Sequence, residues 1–182
     1  TPITDLLYAA TSGPLTRLFQ RHNIPLPLSD QPVSAGWVSF AAVLLRAETL
    51  QHVGPMDEGF FMYFEDIDYA IRARQAGFDV LHWPQARVVH LRGQSSSVKQ
   101  DQQTRKRRPP YYYAARSRYY AKHYGRAGLL AANLLWTLGR VIALFREAFG
   151  RPPRACRNEH RDIWLNTTQP LDGPHPLTWD PS

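Results

Sequence analysis

Glu65-Asp66-Ile67-Asp68 sets three carboxylates within four residues, directly after the aromatic run Phe60-Phe61-Met62-Tyr63-Phe64. A carboxylate held at a helix start and walled by aromatic rings is placed to take a proton from a hydroxyl lying against it. The positive helix N-terminus and the neighbouring acids push the Asp66 pKa in opposite directions, and on either balance the group is ionised at neutral pH. The same residues also serve plain helix stabilisation. Acids in the first turn, Arg72 and Arg74 in the last and Gly77 just beyond are ordinary start and stop signals for a helix running to Ala76. Residue types alone leave both readings open.

The elements around this segment follow from pattern. Trp37–Leu45, WVSFAAVLL, is nearly continuous apolar sequence and predicts a buried strand, although its periodicity also suits a helix segment. Arg46–Leu50 predicts a short helix stopped by Gly54-Pro55, after which a loop carries Met56-Asp57-Glu58-Gly59 into the aromatic run. Downstream, Phe78–His82 and Arg87–Leu91 predict short strands flanking a turn at Pro84, and Gly93–Lys99 a flexible loop. Residues 1–32 carry Pro2, Pro14, Pro25, Pro27 and Pro32 and predict irregular chain, with room for a short helix near Leu15–His22. Tyr111–Tyr124 predicts a helix ended by Gly125, followed by a long apolar helix over about Ala127–Phe149. Residues 150–182, with six prolines, predict a poorly ordered tail.

The stretch Phe60–His90, FFMYFEDIDYAIRARQAGFDVLHWPQARVVH, resembles glycosyltransferase family 2, in particular its bacterial rhamnosyltransferase-like members. The similarity lies in the F-x-x-Y-F-E-D-x-D segment, in Arg72 with Gly77 closing the helix, and in Pro84-Gln85-Ala86-Arg87-Val88-Val89-His90. Gly54-Pro55-Met56-Asp57-Glu58 looks like the family's G-x-x-D-E loop, and Trp37-Val38-Ser39 with Arg46 matches upstream. Arg116-Ser117, Tyr119-Tyr120, Lys122 and Gly125 resemble the family's helix downstream, so the likeness spans roughly residues 33–146.

The resemblance implies the α/β GT-A fold, of which residues 33–104 would be the acceptor-side, catalytic-base half. An irregular segment, 1–32, would precede it, and a basic linker with helices, 105–149, and a Pro-rich tail, 150–182, would follow. It implies a nucleotide-diphosphate sugar donor, a glycan or lipid-linked acceptor, and Asp66 as the base of a single inverting displacement, unlike the paired carboxylates of glycoside hydrolases. By the same likeness Glu65 and Asp68 would orient the acceptor or the Asp66 loop, and Trp37 would stack on sugar or base. His90 would help hold a divalent cation, Mn²⁺ or Mg²⁺, on the diphosphate. The remaining ligands are expected in an N-terminal nucleotide-binding half: ahead of Trp37 there is neither a β-α-β unit nor a separate D-x-D, and Asp66-Ile67-Asp68 occupies the base motif. Without that half, the 182-residue chain is expected to be inactive by itself. Phe40, where the family usually has Gly, is expected to crowd the site.

Charge and apolar patterning address partners and location. A net charge of +7 favours phosphate-bearing partners without choosing among them. Arg105-Lys106-Arg107-Arg108 followed by Tyr111–Tyr113 suits a solvated basic loop, an anionic lipid surface, or a nucleic-acid-binding module without catalysis, although no recognised nucleic-acid motif supports the last. Ala127–Phe145 is long enough to span a bilayer, but Asn133 and Arg140 inside it favour an interfacial or docking helix, with a core helix equally open. One cysteine, Cys156, precludes an internal disulfide and fits a reducing compartment. The sequence opens without Met or a leader pattern, so the chain is expected to begin inside a longer protein, cytoplasmic or peripheral on the inner face of the plasma membrane.

Overall fold

The computed structural model describes residues 1–19, 29–89 and 97–172. Its elements, in order, are α1 (Pro2–Ala10), α2 (Gly13–Leu18), β1 (Val33–Ser34), α3 (Ala47–Val53), α4 (Glu65–Gln75), β2 (Leu81–His82), α5 (Val98–Thr104), α6 (Pro110–Ala148) and α7 (Glu159–Asp162). β1 and β2 pair antiparallel, Val33 opposite His82 and Ser34 opposite Leu81. Helix dominates among the described residues, where an α/β half-domain was expected.

The organising element is α6. Its two halves meet at Gly125, whose φ of 68° and ψ of 179° lie in a region that only glycine adopts readily. The predicted helix end at Gly125 is therefore a kink between two packed helices. The first half buries Ala115, Tyr119 and Tyr120 with Phe60, Leu129 and Ala132, and Phe64, Ile67 and Ile71 pack against this cluster. A second cluster joins Ala9, Tyr113, Trp136 and Ile163.

Four expectations are corrected. Pro2 does not break the N-terminal segment but starts α1 at its first turn, where proline costs no hydrogen bond. α1 docks on α6 through Arg116, which donates to Asp5 at 3.0 Å, and through Arg146, which donates to the Ala10 carbonyl at 3.0 Å. The run 37–45 is not a buried strand: the two-residue strands of the sheet give it no ladder, and Leu44 is 92% exposed. Of the second predicted strand, residues 87–89 are irregular, whereas Val98 and Lys99, expected in a loop, open α5. The tail is packed through residue 172: Cys156, Glu159, Asp162 and Ile163 are buried, and the Ser117 hydroxyl donates to the Leu165 carbonyl at 2.6 Å.

Packing of α1 on α6 depends on Gly139. A Cβ there would sit 2.6 Å from the Leu6 carbonyl oxygen and 2.9 Å from the Ala10 nitrogen, both backbone atoms that cannot rotate away. Gly139→Ala is expected to cost about 1–3 kcal/mol by overpacking, read as a lower guanidinium midpoint.

Candidate functional site

Helix α4 presents its acids in different directions, because residues two apart on a helix point roughly 200° away from each other. Asp66 is half-buried. Its Oδ1 accepts the Ile67 backbone N–H at 2.8 Å, and the backbone N–H of Phe40 donates to the same carboxylate. The Phe40 ring, expected to crowd the site, lies edge-on to Tyr69 at 5.8 Å, so this residue meets Asp66 through its amide. Burial pushes the Asp66 pKa up, and the backbone amides of Ile67, Phe40 and Asp66 itself only partly offset it. Glu65 is also half-buried, and burial followed by the neighbouring Asp66 charge raises its pKa. Its Oε2 has no hydrogen-bond partner among the described residues. Trp37 is half-buried three residues before Phe40.

The backbone entering α4 is strained. Tyr63 and Phe64 take left-handed φ values of 73° and 68°, each costing about 1–2 kcal/mol for an L-residue. Aromatic packing holds them there: Tyr63 lies 5.5 Å from the Tyr112 ring, and Phe64 lies 5.3 Å from Tyr119. The first half of α6 thus fixes the direction in which Asp66 leaves the turn.

Of the two roles expected for Asp68, orienting the acceptor or the Asp66 loop, its surroundings suit the second. It is wholly buried, and its carboxylate accepts from Arg72 Nε at 3.0 Å and His123 Nε2 at 2.9 Å while pairing with Lys122 Nζ at 2.7 Å. Burial opposes its ionisation, but the hydrogen bonds from His123, Lys122 and Arg72 outweigh it and lower the pKa. Lys122 also reaches Asp57 at 2.6 Å, and Arg118 pairs with Asp57 at 2.8 Å. For Asp57 too, burial is outweighed, by Arg118, Lys122 and the Gly59 N–H, and the carboxyl lies well below the usual range. Arg72 further donates to the Val53 and Pro55 carbonyls, each at 2.9 Å. One network therefore ties the 53–59 loop, α4 and α6 together. Gly59 is part of it, since a Cβ there would meet the Arg118 guanidinium at 2.1 Å.

Sequence reasoning missed Arg118, Lys122 and His123 as partners of these acids. The i, i+4 spacing of Asp68 with Arg72, and of Arg118 with Lys122, was the available signal.

The expected metal ligand His90 lies outside the described residues. Among the described residues no three His, Cys, Asp or Glu side chains cluster to hold a metal ion. Asp66 and Asp68, despite their D-x-D form, face different surroundings, Asp66 backbone amides and Asp68 a cage of Arg72, Lys122 and His123, so the two do not together form a cation site. Two of the four residues of the basic run are paired: Arg108 is buried against Glu159 at 3.1 Å, and Arg107 pairs with Asp162 at 2.9 Å. Pairing takes these two charges from any nucleic-acid surface and leaves Arg105 and Lys106 exposed. A cavity of about 430 Å³ opens elsewhere, lined by Arg105, Trp136, Arg140 and His160, and includes none of the α4 acids.

The sequence profile of "Glycosyltransferase like family 2" matches residues 9–108, more than half of the chain. The chain belongs to this family. It is 34% identical over 116 residues to the N-acetylglucosaminyl-diphospho-decaprenol L-rhamnosyltransferases of two strains of Mycobacterium tuberculosis, CDC 1551 / Oshkosh and ATCC 25618 / H37Rv. The match covers 64% of this chain and 35% of each relative, so the chain spans about a third of the length of the curated relatives it matches. No solved structure matches it. Family membership supports sugar transfer and does not favour the nucleic-acid reading. The α4 acids, the 53–59 loop and the start of the linker all fall inside the matched span.

Proposed function

We propose that the chain supplies the acceptor side of an inverting glycosyltransferase. In this reading Asp66 takes the proton from an acceptor hydroxyl as its oxygen attacks the anomeric carbon. The new C–O bond forms while the bond to the diphosphate breaks, and its electron pair leaves with the nucleoside diphosphate. The observation that carries the reading is the half-buried Asp66 carboxylate, oriented by backbone amides and left outside the cationic network that neutralises Asp57 and Asp68. An acid kept apart from nearby arginines and lysines remains available to a substrate proton. Asp68 and Asp57 act as positioning residues, holding α4 and its preceding loop on α6.

Rhamnose as the donor sugar and a lipid-linked acceptor are supported by the names of the relatives, and a step of cell-envelope polysaccharide synthesis on the cytoplasmic side completes the proposal. Glu65 and Trp37 belong to this proposal as acceptor contacts.

The test is stereochemical. Transfer by the complete protein from a nucleoside-diphosphate sugar, followed by NMR of the product, is expected to give the inverted anomer. Retention of the anomeric configuration would reject the single inverting displacement. The pH profile is a separate check. Because the Asp66 pKa is raised, the base is lost to protonation at a higher pH than for an ordinary aspartate. The acid limb of kcat/KM is therefore expected above the ordinary carboxylate range, and the Asp66 variant should lack that limb.

A further inference from the structure

The second half of α6 carries a face that the transfer chemistry does not use. Every exposed position from Ala127 to Phe149 is uncharged, and only Thr137 among them carries a polar side chain. Leu130, Leu134, Leu138, Val141, Phe145 and Phe149 run along this face, with Phe145 66% and Phe149 86% exposed. At 1.5 Å per residue the stripe is about 29 Å long. An uncharged apolar face of that size is not ordinary solvent-facing surface. The opposite face is already occupied: Leu129, Ala132, Trp136, Gly139 and Ala143 are buried, and α1 lies against Gly139.

We propose that this face docks in the plane of an anionic lipid bilayer. The charges bordering it select the partner. Arg126 precedes the stripe and Arg151 follows it, both exposed. Of the intermediate positions within the stripe's span, Glu147 is the acidic one, and it is paired with Arg140 at 3.0 Å. Apolar side chains enter the acyl boundary while the arginines at either end meet lipid phosphates. A second copy of the chain fits less well. An antiparallel pairing sets Arg126 of one copy against Arg151 of the other, and a parallel pairing stacks like on like. A membrane-spanning orientation would leave α1, with Asp5 and Arg116, packed along the helix at bilayer depth.

The test is flotation of the full chain with vesicles of phosphatidylcholine, with and without phosphatidylglycerol. The chain is expected to float with the anionic vesicles and to be released progressively by salt. The double variant Leu138→Glu, Phe145→Glu changes only exposed positions, so its circular dichroism should match the parent. Its vesicle binding should fall by about tenfold or more. Asp66→Asn should float like the parent, which separates this proposal from the transfer reading. A chain that stays in solution with anionic vesicles overturns the proposal, as does a double variant that floats equally well. So does light scattering in which the parent is a dimer that the double variant dissolves, for then the face meets protein.

Discussion

Asp68→Ala is expected to remove about 3–5 kcal/mol of stability, the range for breaking a buried ion pair from one side. The loss arises because Arg72, Lys122 and His123 all converge on a carboxylate with no exposed surface. Removing it leaves three donors facing one another at the junction of α4 and α6. Lys122 and Arg72 retain some solvent contact, at 27% and 22% side-chain exposure, and can relax outward; His123, at 9%, is less able to. Against a typical domain stability of about 5–15 kcal/mol, this is a large fraction. The pH dependence gives the sign. Folding lowers the Asp68 and Asp57 pKa values, so their contribution is fully present above the ordinary carboxylate range and is lost as pH falls through the depressed values. The gap between parent and Asp68→Ala in guanidinium midpoint should therefore be widest at neutral pH and narrow in acid. A gap that stays constant with pH would mean the residue acts through packing alone.

The sequence made some elements legible because their signals are local. Acids at 65–68, arginines at 72 and 74 and Gly77 bracket α4, which runs Glu65–Gln75. Gly54 and Gly125 mark a helix stop and a helix kink, both at positive φ. Elements that depend on partners were not legible. The apolar run 37–45 announces that it prefers burial but not what would bury it, and among the described residues it is largely exposed. The prolines of the tail exclude long helices without deciding whether the chain is packed, and Arg107 and Arg108 find their acids 55 and 51 residues away. At the site, the importance of Asp66-Ile67-Asp68 was visible, but the division of labour was not. Which acid is free and which is caged depends on Lys122 and His123, brought in by the first half of α6.

That division leads to the second large effect, Asp66→Asn. The substitution keeps the size of the side chain and an oxygen that can accept from the Ile67 and Phe40 amides, while removing the basicity. General-base catalysis contributes about 10²–10⁴-fold, and the loss should fall on kcat, with donor affinity held. Stability should move the other way. Burial raises the Asp66 pKa, so the ionised form is penalised by folding, and the stability present at low pH is lost as pH rises through the folded value. At neutral pH the neutral Asn should therefore fold at least as well as the parent. A side chain whose loss helps folding and harms transfer is held for its chemistry.

The measurement that bears most directly on the assignment of the base is kcat of the complete protein carrying Asp66→Asn, taken alongside donor affinity and melting temperature at neutral pH. A fall in kcat of about 10²-fold or more, with donor affinity retained and melting temperature unchanged or raised, is the predicted result. A kcat close to that of the parent would show that another group takes the acceptor proton.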